Sequence, residues 1–448
     1  MNAISERVVL GKATRRLIPF LFILYVVAYL DRVNVGFAKL QMGRALHLSD
    51  TVFGAGMGIF FLGYFLFEVP SNLILERVGA RRWIARIMIS WGLIAMAMLF
   101  TRDKASFYGL RFLLGLAEAG FFPGIILYLT YWFTAAERAR VVALFMTAGT
   151  ISQVIGSPLS GLLLTVNGHG LAGWQWLFLL EGLPAVLLGF VVLAYLPDGP
   201  QTARWLSADE KAWILGRLEA ERQSRIQRHF TLREAFTHPA VWLFCLLYFT
   251  LALTSYGITF WLPQIIQKAF HLGKEQTAQV GWLAAIPYIA ATVGMVLIGM
   301  HSDRTRERRW HVTLSALTAC VGLVLSALLH SPVPILLAFT VATLGVWGML
   351  GPFWGLTTAF LGSAAAAGGI ALINSVGNLG GFVGPYVMGW LRDTTHSFAV
   401  GLLALAGTIF LGGLLALIVR REPLSDQAAV SIDERDALLA SPSSDAGG

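Results

Sequence analysis

The sequence predicts an all-α membrane protein of twelve transmembrane helices in two pseudo-symmetric six-helix bundles. Three observations predict it. Apolar residues make up 56% of the 448-residue chain and charged residues 13%, against about 25% charged in a soluble protein. The apolar residues gather into runs of the ~20 that a bilayer requires. A pattern of landmarks recurs at one fixed offset along the chain, as duplicated halves require.

The spans read in order as roughly 17–38, 52–75, 83–100, 106–133, 138–165 and 174–196, then 239–267, 277–300, 311–330, 334–358, 368–391 and 398–419, numbered here 1 to 12. A segment wholly in lipid must satisfy its own backbone, so each span is a helix. The first run is too long for a signal peptide and no small-residue cleavage site follows it, so it is read as a retained span. Residues 1–196 form the first bundle, 197–238 a linker, 239–421 the second bundle and 422–448 a disordered tail. Within the linker, Ser207-Ala208-Asp209-Glu210 reads as a helix start, and Lys211 to Arg228 has a helical pattern.

Charge excludes other classes. The net charge is +8 and the sequence pI is about 9.7, values that in a soluble protein suggest nucleic acid. Here the charge lies in short loops between apolar runs, so the expected surroundings are a bilayer and not a nucleic acid. The two cysteines, Cys245 and Cys320, sit inside apolar runs and imply no disulfide framework or metal site. No cofactor is called for. An enzyme would need a nucleophile with a base or a His-rich metal set near one membrane face, and the histidines are scattered mainly in loops. With the N-terminus inside, the short cytoplasmic segments hold fifteen Lys and Arg against seven on the other side. That bias puts both termini in the cytoplasm. A monomer in a bacterial inner membrane is the expectation.

The repeat is visible in two places. Glu76-Arg77-Val78-Gly79-Ala80-Arg81-Arg82-Trp83 follows span 2, and Asp303-Arg304-Thr305-Arg306-Glu307-Arg308-Arg309-Trp310 follows span 8. Pro158 in span 5 and Pro385 in span 11 are separated by the same offset as these two loops.

Ionisable groups inside a membrane are costly and default to function. Asp31, Arg32, Glu68, Arg111, Glu118 and Glu181 all lie in the first half, and the spans of the second half contain no acid. Arg111 and Glu118 are two helical turns apart on nearly one face. Depth along the spans allows Asp31 to pair with Arg111 and leaves Arg32 for substrate. A buried carboxyl beside an arginine is balanced between protonated and ionised forms, and an anionic substrate competes for the same arginine. The alternative is an ion network that only ties helices together. Glu68, eight residues before Glu76, reads as interfacial and structural, and Glu181 also as structural. Trp261, Trp282, Trp347 and Trp354 read as belt or core more readily than as a ring-binding wall.

Twelve spans in two halves, a central linker and the acid-Arg-Arg loops resemble the major facilitator superfamily. The second loop matches well, with Gly299 four residues before Asp303; the first departs at Asn72, Glu76 and Ala80. A narrower resemblance, to the anion:cation symporter family, rests on Tyr29-Leu30-Asp31-Arg32-Val33-Asn34-Val35-Gly36-Phe37-Ala38, on Glu68-Val69-Pro70-Ser71-Asn72, and on Arg111 through Gly124. Residues 174–184 are similar to the tartrate and hydroxyphenylacetate branch. That resemblance implies a symporter of small organic anions and protons. It makes Asp31 and Glu118 the protonation sites and Arg32 the substrate anchor. Arg111, Tyr29, Tyr64 and Asn374 join the substrate set, while Asn378, one turn beyond Asn374, is read as packing. Tartrate-like hydroxycarboxylates lead, with aromatic carboxylates as the runner-up and a uniporter or antiporter as the mechanistic rival. Glu76, Arg77, Arg81, Arg82, Asp303, Arg304, Arg308 and Arg309 are expected to latch the cytoplasmic side.

Overall fold

The structure is a computed structural model that describes residues 3–224 and 238–419. The predicted tail and the end of the predicted linker helix, through Arg228, lie outside those residues. Ten helices among the described residues are long and apolar enough to cross a membrane. Helices Ala135–Leu163 and Gly380–Thr395 complete two sets of six.

Span 1 is one helix, Ala3–Ala45, longer than its apolar run at both ends. Span 2, Asp50–Val78, starts on Ser49, whose Oγ accepts from the Val52 N–H at 3.2 Å, and stops at Gly79, with φ +97°. Span 3 is Ala80–Ala97. Span 4 differs from the single predicted helix. It runs Lys104–Glu118, breaks, and resumes as Phe121–Thr130. The break falls on Gly120, whose φ of +84° suits glycine, and a methyl there would lie 2.2 Å from Ser71 Oγ. Spans 5 and 6 are Ala135–Leu163 and Gly173–Tyr195. The linker helix Ala208–Ser224 starts where predicted. Ser207 and Glu210 cap it reciprocally, at 3.2 and 2.9 Å.

In the second half, spans 7, 8 and 9 are Pro239–Ala269, Thr277–Thr305 and Arg309–Leu328, and span 12 is Phe398–Ile418. Spans 10 and 11 are not separated by a loop; one helical stretch runs Pro332–Asn378. It cannot be straight. The ring of Phe353 stacks on Tyr248 at 5.2 Å, and a methyl on Gly377 would also touch Tyr248. A straight helix would hold positions 353 and 377 about 36 Å apart. The chain therefore doubles back between them, and span 11 is the return limb plus Gly380–Thr395.

The pseudo-symmetry extends to packing. A methyl on Gly54 of span 2 would fall 2.3 Å from the Pro385 carbonyl oxygen of span 11, and one on Gly281 of span 8 would fall 2.4 Å from the Ser157 carbonyl oxygen, beside Pro158 of span 5. Gly54 and Gly281 are separated by the same offset as Pro158 and Pro385. The two inter-half seams, 2 against 11 and 5 against 8, are thus copies of one contact, built on close backbone approach.

These seams close the halves on the face away from the linker. There Asp393 accepts from Thr51 N at 2.7 Å, Thr51 Oγ1 at 2.6 Å and Asp50 N at 3.1 Å. Gln264 Nε2 also donates to the Gly36 carbonyl across the halves at 2.6 Å.

Candidate functional site

A cavity of about 70 Å³ lies between the halves, lined by Tyr25, Tyr29, Arg32, Tyr64, Phe122 and Gly149 from the first and by Tyr248, Ser255, Tyr256, Trp347, Asn374 and Asn378 from the second. It is contracted compared with the ~300 Å³ or more of pockets that enclose drug-sized ligands. A larger space, about 900 Å³, lies outside the bundle between the linker helix and the loop after span 2, bounded by Glu76, Asp198 and Leu218. It holds none of the intramembrane charges.

Among the described residues, Arg32 is the one intramembrane ion that lines the central cavity. Its Nε donates to Glu118 Oε1 at 3.1 Å, its Nη2 donates to the same oxygen, and its Nη1 donates to the Tyr256 hydroxyl of span 7 at 3.1 Å. Its guanidinium lies 5.4–5.5 Å from the ring centres of Tyr29, Phe60 and Tyr64. A cation held among aromatic faces is attracted by their quadrupoles and remains a planar donor for a carboxylate. Glu118 is fully buried behind it, and its Oε2 has no hydrogen-bond partner among the described residues. Asn374, predicted from the family pattern, faces the same cavity, and so does Asn378, read from sequence as packing.

Asp31 does not meet Arg111. Successive helical residues point about 100° apart, so with Arg32 on the cavity Asp31 faces span 3. Its Oδ2 accepts from Trp91 Nε1 at 2.7 Å. Arg111 is also turned away from the cavity. Its Nε and Nη2 donate to the carbonyls of Gly56 and Met57 in span 2, at 3.2 and 3.1 Å. The glycines and tight packing of span 2 bring its backbone within reach of that guanidinium.

Glu68 is buried, not interfacial. It accepts from Asn374 Nδ2 at 2.6 Å and Ser375 Oγ at 2.9 Å. Glu181 is buried on span 6 and accepts from Ser160 Oγ at 2.7 Å. The four tryptophans divide: Trp347 lines the cavity beside Tyr29, with centroids 6.1 Å apart, and Trp354 packs on Tyr248. Trp261 is core and Trp282 is exposed. Sequence reasoning missed Tyr256 and Trp91, because an isolated Tyr or Trp in an apolar run carries no signal of its partner.

The two loops make their described bonds to the start of the linker and within the second half, with none between the halves among the described residues. The Arg81 N–H donates to Asp198 Oδ1 at 2.9 Å. Arg308 Nη2 donates to Asp303 at 3.0 Å, and Arg309 Nη1 to the Val419 carbonyl at 3.3 Å. Glu76, Arg77, Arg82 and Arg304 are exposed on that face.

Comparison with known proteins fits this architecture. The family model for the Major Facilitator Superfamily matches residues 21–385. A proposed tartrate transporter of Agrobacterium vitis is 50% identical over 94% of this chain and 96% of its own length. A quinolone resistance transporter of Acinetobacter baumannii is 44% identical over 92% of this chain and 95% of its own. The crystal structure of a bacterial homologue of the lysosomal transporter Spinster, inward-facing and occupied, superposes with a TM-score of 0.71 at 16% identity, covering 90% of this chain and 96% of that one. With its repeated halves, inter-half cavity and a family match across most of its length, this chain belongs to the Major Facilitator Superfamily.

Proposed function

We propose that the chain imports a small organic anion, a tartrate-like hydroxycarboxylate first, together with protons. The observation that carries the reading is Arg32: a buried guanidinium at the seam of the two halves, bonded to Glu118 behind it and to Tyr256 across it. A carboxylate entering the cavity competes with Glu118 for the planar donor fork. Tyr29, Tyr64 and Asn374 add polar contacts around the same point. Displaced from Arg32, Glu118 is left buried with both oxygens unpartnered, and taking a proton removes that cost. Asp31 is the second protonation site on this reading, screened from the cavity by the body of span 1. Arg111 positions span 2 against span 4. Similarity to a proposed tartrate transporter supports the choice of substrate.

Alternating access rocks residues 1–196 against 239–421 about the cavity, with 197–238 as the tether. On this reading the chain lies in a bacterial inner membrane, and the Lys and Arg bias supports a cytoplasmic linker face with both termini on that side. In the opposite state the loops at Glu76–Arg82 and Asp303–Arg309 latch that face. The chain works as a transporter, with no enzymatic step of its own.

A second reading, an aromatic carboxylate, is favoured by the wall of Tyr25, Tyr29, Tyr64, Phe122, Tyr256 and Trp347. A thermal-shift series on purified protein separates the two. L-tartrate should raise the melting temperature and 4-hydroxyphenylacetate should not. The reverse order would replace the first reading with the second, and no shift with either would remove both.

A further inference from the structure

Glu68 ties the two halves together at the linker-side end of the cavity. It follows Tyr64, a cavity residue, by one helical turn, about 6 Å closer to the linker face. Its side chain is 3% exposed. Each of its oxygens accepts a bond from the other half: Oε1 from Asn374 Nδ2 at 2.6 Å and Oε2 from Ser375 Oγ at 2.9 Å. Asn374 also lines the cavity. The seams through Gly54 and Gly281 lie on the opposite face, so they need not part when the linker side opens. The Glu68 bonds must.

We infer that Glu68 is an internal anion that latches the linker side of the cavity by holding the Asn374 amide and the Ser375 hydroxyl until a substrate carboxylate takes the amide. The substrate half of this statement rests on the transport reading above; the latch half rests on geometry alone. Bonds to an ionised acceptor are roughly twice as strong as neutral ones, which makes a carboxylate the effective acceptor here. A second carboxylate lodged between Arg32 and Asn374 repels the first and competes for its donor. Binding and unlatching are then one event. A fixed structural tie would instead hold in every state and block opening altogether.

The test uses the full chain with Cys245→Ala and Cys320→Ala, carrying Ser255→Cys in the cavity wall as a reporter. The protein is reconstituted in vesicles and labelled from the linker face with a membrane-impermeant maleimide, first with no organic anion present. Interhelical hydrogen bonds in membranes are each worth about a threefold change in an equilibrium. Glu68→Gln should therefore speed labelling about threefold and Glu68→Ala about tenfold. Asn374→Ala with Ser375→Ala should match Glu68→Ala from the other side of the contact, which separates unlatching from misfolding caused by either change. Unchanged rates in these variants would overturn the latch. L-tartrate should also speed labelling of the parent and add nothing to Glu68→Ala. If the variants speed up and tartrate leaves the parent unchanged, the latch stands and the tartrate reading falls.

Discussion

Arg32 and Glu118 form a buried pair across spans 1 and 4, with Arg32 Nε donating to Glu118 Oε1 at 3.1 Å and Nη2 donating to the same oxygen. The remaining Nη1 reaches Tyr256 in the other half at 3.1 Å. One guanidinium thus joins a buried acid, the cavity and the opposite bundle. Removing one partner of a buried pair costs about 3–5 kcal/mol where the other stays charged, so the pair is sensitive to any anion that enters.

Arg32→Lys keeps the charge and loses the fork. An ammonium cannot face Glu118, Tyr256 and a ligand carboxylate in one plane. Tartrate uptake should fall at least about tenfold, equivalent to ~1.4 kcal/mol of binding, with the folded yield retained. Uptake at the parent rate would argue against a bidentate anchor.

Glu118→Gln and Asp31→Asn should both abolish accumulation driven by a proton gradient while leaving tartrate counterflow measurable. Asparagine at 31 can still accept the Trp91 bond, so a loss there cannot be blamed on that contact. Proton-driven uptake at parent levels in both variants would remove these two acids from coupling.

How much of this was legible in the sequence depends on the kind of contact. The intramembrane charges stand out because each is anomalous in an apolar run. Their partners do not, because Arg32–Tyr256 and Glu68–Asn374 join positions far apart in the chain, one in each half, on helices whose rotation the sequence leaves open. The pairing expected for Asp31 failed on that point: depth alone put it level with Arg111, whereas helical phase turns it to Trp91. The repeat was legible in the loops Glu76–Trp83 and Asp303–Trp310 and in Pro158 and Pro385, but its meaning as two copies of one glycine seam needed the partners Gly281 and Gly54. Span boundaries followed hydropathy except in span 1, whose helix Ala3–Ala45 outruns its apolar stretch at both ends, at Gly120, and in the reversal between positions 353 and 377, where helical residues continue through a change of direction.

Gly54→Val and Gly281→Val should act alike. Each puts a side chain where a bare methyl already falls 2.3 or 2.4 Å from a carbonyl oxygen of the other half. Each half should still fold, since the clash exists only when the far face closes. Thiol labelling of the cavity reporter from the far face should rise and transport should stop. Normal transport by either variant would contradict closure along these seams.

Arg111→Lys should lower stability more than it lowers binding. Lysine cannot serve the Gly56 and Met57 carbonyls together, and an unsatisfied buried acceptor costs about 1–3 kcal/mol. A drop of several degrees in melting temperature with tartrate affinity retained is the expected result. Lost affinity at unchanged melting temperature would return Arg111 to the substrate set.

The most direct test of the central claim is uptake of radiolabelled L-tartrate into proteoliposomes under an imposed pH gradient, acid outside. Proton symport through the Arg32–Glu118 site predicts transient accumulation above the equilibrium level, collapse on adding a protonophore, and no accumulation with Glu118→Gln. Uptake that only equilibrates, at a rate and level indifferent to the gradient, would contradict it.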